Sequence, residues 1–172
     1  MPAEIEKEKT YLLNQLPDNL TEWKLEYTKD IYLPPDSDNP QIRLRQRGQS
    51  FYITKKYPKV EGDLSTMIEE TISLSEFEFD FLSTNLEGKV LEKNRYSKKT
   101  ADHIFEVDEY LGDLSPLKVL DIEWIDTPPT EDEIKHFKIS REITQTKELA
   151  AGKIAGKSYS DISKYIWDKY YR

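Results

Sequence analysis

The chain opens on a period-two pattern of charge. Glu4, Glu6, Glu8 and Thr10 alternate with Ile5, Lys7, Lys9 and Tyr11. Successive side chains of a β-strand point to opposite faces, so the three carboxylates and Thr10 share one face. Like charges this close repel, and a fold tolerates them where water or a cation answers them. The same spacing returns downstream with both signs: Arg43, Arg45 and Arg47; Lys93 and Arg95; Glu106 and Asp108; Asp121 and Glu123.

The alternation and the turn residues between its runs predict eight strands. They cover residues 3–13, 23–33, 41–47, 51–57, 66–74, 89–97, 102–110 and 118–125, punctuated by turns such as Pro17-Asp18-Asn19 and the loop 34–40. Gly48-Gln49 between two such runs suits a two-residue type II′ hairpin, which pairs Arg47 with Ser50, Arg45 with Tyr52 and Arg43 with Thr54. Ser75 with Glu78 is a capping box that opens a helix reaching about Leu86, with Phe77, Phe81 and Leu82 on one face and Gly88 as its stop. Thr130 with Glu133 opens a second, short helix. Residues 141–157 have no readable period. Ser160 is the expected cap of a last amphipathic helix at about 160–171, with Ile162, Tyr165, Ile166 and Tyr170 on its apolar stripe.

Composition narrows the class. At 172 residues the chain suits a single domain, 1–172. The net charge of −8 argues against DNA as a partner, because nucleic-acid binding draws on phosphate contacts by basic residues. The lack of cysteine excludes disulfides and thiolate chemistry and fits a reducing compartment. No apolar run approaches the length of a membrane span and no signal peptide is visible, so a cytoplasmic protein without a membrane partner is expected.

The charged faces change the picture most. On most strands the face opposite the charges is apolar: Phe105 and Val107 oppose Glu106 and Asp108, and Leu120, Ile122 and Trp124 oppose Asp121 and Glu123. Surface ion pairs contribute roughly 0–1 kcal/mol each, so stability alone does not call for such regularity. An open sheet with an ion-paired outer face remains one reading. The other closes eight strands into a barrel with the charges inside, a mainly β α+β fold with surrounding helices. Its lumen suits a small polyanion carrying a divalent metal, with bases on phosphate oxygens and carboxylates on the hard cation.

The ordered series Glu6-x-Glu8, Arg43-x-Arg45, Thr54-x-Lys56, Glu69, Lys93-x-Arg95, Glu106-x-Asp108 and Asp121-x-Glu123 resembles the CYTH, or triphosphate tunnel metalloenzyme, superfamily over about residues 4–158. The resemblance implies an eight-stranded antiparallel tunnel, hydrolysis of an inorganic or an organic or nucleoside triphosphate with Mg²⁺ or Mn²⁺, and a small-molecule triphosphate or polyphosphate as partner. It implies Arg43, Arg45, Lys56, Lys93 and Arg95 on the substrate. It also implies Glu6, Glu8, Glu106, Asp108, Asp121 and Glu123 as candidate metal ligands, and a catalytic set of Glu6, Glu8, Lys56 and Arg95. The chain departs from the family's ExExK signature: Thr10, or Glu8 in the other register, stands where the lysine belongs. Two other readings therefore stay open, an adenylate cyclase of class IV type and a non-catalytic polyphosphate or nucleotide binder.

Other motifs point elsewhere and weakly. The run Gly152–Ser158 lacks the first glycine and the leading strand of a phosphate loop. His103 and His136 have no partner at metal-ligand spacing, which favours packing roles. Oligomeric state is not legible.

Overall fold

The computed structural model describes residues 3–167. Strands form where the alternation runs: β1 (Glu4–Leu13), β2 (Lys24–Leu33), β3 (Ile42–Arg47), β4 (Ser50–Pro58), β5 (Thr66–Leu74), β6 (Lys89–Lys99), β7 (His103–Tyr110) and β8 (Lys118–Trp124). They pair antiparallel in the order β5-β4-β3-β2-β6-β7-β8-β1, and β5 returns to β1 to close the ring. Closure removes the exposed edges that an open sheet would carry. A ninth strand, β9 (Ile139–Glu142), adds to the far end of β1 and overlaps the start of the stretch 141–157 whose period could not be read.

Local chemistry fixes the register. Gly48 sits at φ +55, and no described non-glycine residue has a positive φ, so the β3–β4 turn is of the II′ kind. Arg47 pairs with Ser50, Arg45 with Tyr52 and Arg43 with Thr54, as the turn dictates. Carried round the ring, this parity sends the charged faces inward. Lys56 stands beside Glu69, Glu8 beside Glu123, Arg95 beside Asp108, and Glu106 beside Asp121.

The apolar core lies mainly outside the barrel wall. Tyr11, Val107, Leu120 and Ile122 meet Leu20, Trp23 and Phe137 on one flank. Ile31 and Leu44 meet Phe79 of helix α1 (Glu76–Asn85) on another. Fully burying side chains of this size stabilises by about 1.5–3 kcal/mol each, so the charged lumen rests on an apolar jacket. Toward one mouth the inward face itself turns apolar. There Leu12, Tyr32, Leu91, Tyr110 and Val119 join Ile143, Leu149, Ile154 and Ile162 of the C-terminal segment, which plugs part of that opening.

The helices hold the main departures from expectation. The Ser75–Glu78 capping box forms, but α1 buries Phe79 and packs Leu82 against the same cluster, while Phe77 and Phe81 face outward, 80% and 59% exposed. Phe77 and Phe81 share one side of the helix, and Phe79 lies on the opposite side with Leu82 three residues on, which is the side that packs against the sheet. Gly88 does not cap the helix. A Cβ there would lie 2.5 Å from Ile31 Cγ2 and 2.8 Å from the Tyr32 carbonyl oxygen, so glycine is required by close approach to β2. Helix α2 (Glu131–Ile134) carries the Thr130–Glu133 capping box. After it, α3 (Ala151–Ile154) is a single turn, and α4 spans Tyr159–Trp167. Ser158, not Ser160, caps α4: the Asp161 amide donates to Ser158 Oγ at 3.3 Å and the Ser158 amide donates to Asp161 Oδ2 at 2.8 Å. Tyr170 and the expected end of this helix lie outside the described residues.

Candidate active site

Inside the ring the charges fall into two regions. The first is the wall built by β2, β3, β6 and β7. Asp30 is fully buried and accepts two hydrogen bonds from Arg45, from Nε and Nη2, both 2.7 Å. Asp108 is equally buried and accepts from Lys93 Nζ at 2.5 Å, Arg95 Nε at 2.6 Å and Arg95 Nη2 at 2.7 Å. Glu106 joins Arg95 Nη1 and lies 3.0 Å from Arg47 Nη1, whose Nε reaches Glu26 at 2.9 Å. At the edge of this wall Arg43 Nη2 meets Glu69 at 3.3 Å, and Arg43 Nε is buried without a hydrogen-bond partner.

These pairings set the protonation of the wall. Burial raises the cost of ionising Asp30, but the Arg45 guanidinium beside it more than offsets this and holds the carboxyl well below the usual range. Asp108 is treated the same way by Arg95 and Lys93, and Glu106 is lowered by Arg95 and Arg47 against its own burial. Burial and the neighbouring Arg95 push Lys93 down, which Asp108 only partly opposes.

The second region is the corner where β1 meets β8. Oxygens of Glu6, Glu8 and Glu123 lie within 4.8 Å of one another. Lys56 is the close cation: its Nζ lies 2.7 Å from Glu6 and 3.3 Å from Glu8, and both carboxylates raise its pKa against the cost of burial. Asp121 has Arg95 only at 3.6 Å and accepts a 2.8 Å hydrogen bond from the Thr10 hydroxyl. Among the described residues no base lies within 4 Å of Glu123. Burial, then the charges of Glu8 and Asp108, push Asp121 up to about 7. Burial, then Glu106 and Glu6, push Glu123 up to about 8. The corner is thus short of positive charge. Its donors are all hard carboxylate oxygens, a set that fits a hard divalent cation rather than a soft one.

Both regions line one cavity of about 380 Å³, within the range of small-ligand sites. Of the residues singled out in the sequence, Glu6, Glu8, Arg43, Arg45, Lys56, Lys93, Arg95, Glu106, Asp121 and Glu123 reach it. Asp108 does not. Its carboxylate faces inward but is fully buried beneath Lys93 and Arg95, which occupy its oxygens. Sequence reasoning missed Glu26 and Asp30, the anionic partners of Arg47 and Arg45. The signal was present as Glu26, Thr28, Asp30 and Tyr32 at alternate positions of β2, facing the arginines of β3 across the ladder.

The chain is 32% identical over 143 residues to an inorganic triphosphatase of Nitrosomonas europaea, an alignment covering 83% of this chain and 91% of that protein. The chain belongs to the CYTH, or triphosphate tunnel metalloenzyme, family. No protein-family model matches it. In structure, this CYTH protein is similar to a crystal structure of an inorganic triphosphatase, with 28% identity, a TM-score of 0.58, and coverage of 88% of this chain and 95% of that one. A protein of Pyrococcus horikoshii shares the fold at 20% identity and a TM-score of 0.55, over 76% of this chain and 84% of that one.

The remaining motifs resolve into structure. His103 is buried, with Nε2 2.9 Å from the Thr127 carbonyl oxygen and Nδ1 3.0 Å from Glu133, and His136 packs on the Phe137 ring. Gly152–Ser158 forms the end of α3 and a turn rather than a phosphate loop. No helix among the described residues is long and apolar enough to cross a membrane.

Proposed function

We propose that the tunnel binds the phosphates of inorganic triphosphate or an organic triphosphate and hydrolyses a terminal phosphoanhydride with Mg²⁺ or Mn²⁺. The observation that carries this reading is the pairing of the acidic corner with a basic wall across a single cavity. Arg43, Arg45, Lys56, Lys93 and Arg95 are the phosphate ligands in this reading. Arg43 supports it directly, because its buried Nε has no partner and can donate to a phosphate oxygen. Glu6, Glu8 and Glu123 hold the divalent cation, with Asp121 beside them. Glu106 and Asp108 stay in the wall, where they orient Arg95 and Lys93.

When bound, such a cation neutralises phosphate charge and acidifies a water. The chain's own residues do the rest. The guanidinium and ammonium groups fix the triphosphate so that the terminal phosphorus faces the carboxylate corner. The buried carboxylates beneath them keep those bases in place before substrate arrives. Phosphoryl transfer draws chiefly on such positioning and charge stabilisation. Water oxygen bonds to the terminal phosphorus, the bridging P–O bond breaks, and the proton leaves to a corner carboxylate or solvent. From inorganic triphosphate, the products are orthophosphate and pyrophosphate.

Thr10 favours a second reading, a binder without turnover, since it leaves Asp121 with a hydroxyl partner where the family signature has a lysine. One assay separates the readings: incubation with tripolyphosphate or ATP and either Mg²⁺ or Mn²⁺, followed by measurement of orthophosphate, pyrophosphate and cyclic AMP. Orthophosphate is the expected product. Cyclic AMP with pyrophosphate would replace the proposal with a cyclase, and binding without products would leave the binder.

A further inference from the structure

The tunnel's bases all have anionic partners within 4 Å. The two mouths differ. At the mouth formed by the β3–β4 turn, Lys24 pairs with Glu26 at 2.8 Å and Arg47 with Glu26 at 2.9 Å. At the opposite mouth, the part left open by the apolar plug is rimmed by Asn39, Gln41, Leu64 and Ala150. The same four residues also line an outer groove, so cavity and groove adjoin there.

That groove carries Lys55, Lys147 and Lys153, with Glu61 as its single carboxylate. Among the described residues, none of the three lysines has a carboxylate within 4 Å. Lys55 stands opposite Glu70 in the β4–β5 ladder, yet its ammonium lies over the Tyr57 ring, 5.7 Å from the centroid. Three ammoniums without a carboxylate partner in one groove, on a chain of net charge −8, make that groove a locally basic surface that favours polyanions.

We propose that this groove is the entrance and outer subsite for linear polyphosphates longer than three phosphates. The leading phosphates occupy the tunnel, and the trailing ones lie along Lys55, Lys147 and Lys153. This rests on the triphosphatase reading for its inner half only. Tripolyphosphate is short enough to sit within the tunnel. A longer chain must leave through an opening, and this one offers cations not already held by carboxylates.

The test compares metal-free binding of tripolyphosphate, ATP and a long linear polyphosphate to the wild type and to the triple variant K55Q/K147Q/K153Q. A control triple, K98Q/K99Q/K138Q, removes the same charge from exposed positions outside the groove. Exposed ion pairs are individually weak, so the combined loss for the long chain is expected to be about tenfold, with a loss of less than about threefold for tripolyphosphate. The effect should shrink as salt is added, and the control triple should not reproduce it. Equal losses for the long chain and tripolyphosphate, or no selective loss, would overturn the groove as a subsite. Selective loss for ATP without loss for the long chain would also overturn it, and would place an organic group there instead. Orthophosphate release by the wild type is measured in parallel. Its absence sinks the hydrolytic reading while the binding comparison still decides the groove.

Discussion

The wall and the corner of the tunnel use the same acidic residue types, yet their carboxylates move in opposite directions. Asp30 and Asp108 in the wall are held well below the carboxylate range, whereas Asp121 and Glu123 in the corner rise to about 7 and about 8. Burial pushes all four up. What differs is the company. Asp30 and Asp108 each have a guanidinium in two-point contact, while Glu123 faces Glu6 and Glu8. The wall is complete as it stands and serves to fix the bases. The corner carries more negative charge than its one close cation, Lys56, answers, and its proposed role as the cation site rests on that surplus.

The comparison can be broken most forcefully in the wall. Asp108→Ala leaves Lys93 and Arg95 buried without their shared anion. A loss of about 3–5 kcal/mol is expected, enough to threaten folding, and urea unfolding would measure it. A loss below about 1 kcal/mol would mean that the wall pairs are not structural. Asp30→Asn is milder, roughly 2–3 kcal/mol, because the amide oxygen still accepts from Arg45. Its pH dependence has a definite sign. Asp30 has a lowered pKa in the fold, so its contribution is complete above the unfolded value of about 3.9 and fades as pH falls through the folded value. The stability gap between wild type and Asp30→Asn should therefore narrow below about pH 4 and stay constant between pH 6 and 8.

How much of this was legible beforehand depends on contrast along each strand. β3, β7 and β8 show charge on one face and apolar groups on the other, so parity and a single glycine turn gave both register and inward residues. β2 lacks that contrast. Its outward positions include Tyr27 and Lys29, so Glu26 and Asp30 do not stand out until β3 is laid beside them. The C-terminal segment was unreadable for a different reason. β9 and α3 are four residues each, shorter than the window in which a period can be recognised, and tertiary contacts with β1 and the mouth decide their form. The corner's deficit of positive charge was invisible too, because it depends on which strands close the ring.

The corner answers to smaller changes of the opposite sign. Glu123→Gln removes one of several crowded carboxylates, so metal-free stability at pH 8 should rise. About 1 kcal/mol corresponds to a melting temperature higher by roughly 2–4 °C for a chain of this size. A lower melting temperature would contradict the view that the corner is over-supplied with negative charge. Thr10→Lys should have the least effect. It places an ammonium near Asp121, and tripolyphosphate binding without metal should tighten a few-fold at low salt, readable by calorimetry. Weaker binding would show that Thr10 makes room for something the lysine displaces.

The assignment of the corner as the cation site is tested most directly by a metal titration of orthophosphate release from tripolyphosphate. Wild type and Glu123→Ala are compared at fixed substrate. Removal of one of three convergent carboxylates should raise the Mg²⁺ concentration for half-maximal rate by about tenfold or more, while metal-free tripolyphosphate binding stays unchanged or tightens. Superimposable titration curves for the two proteins would contradict the assignment.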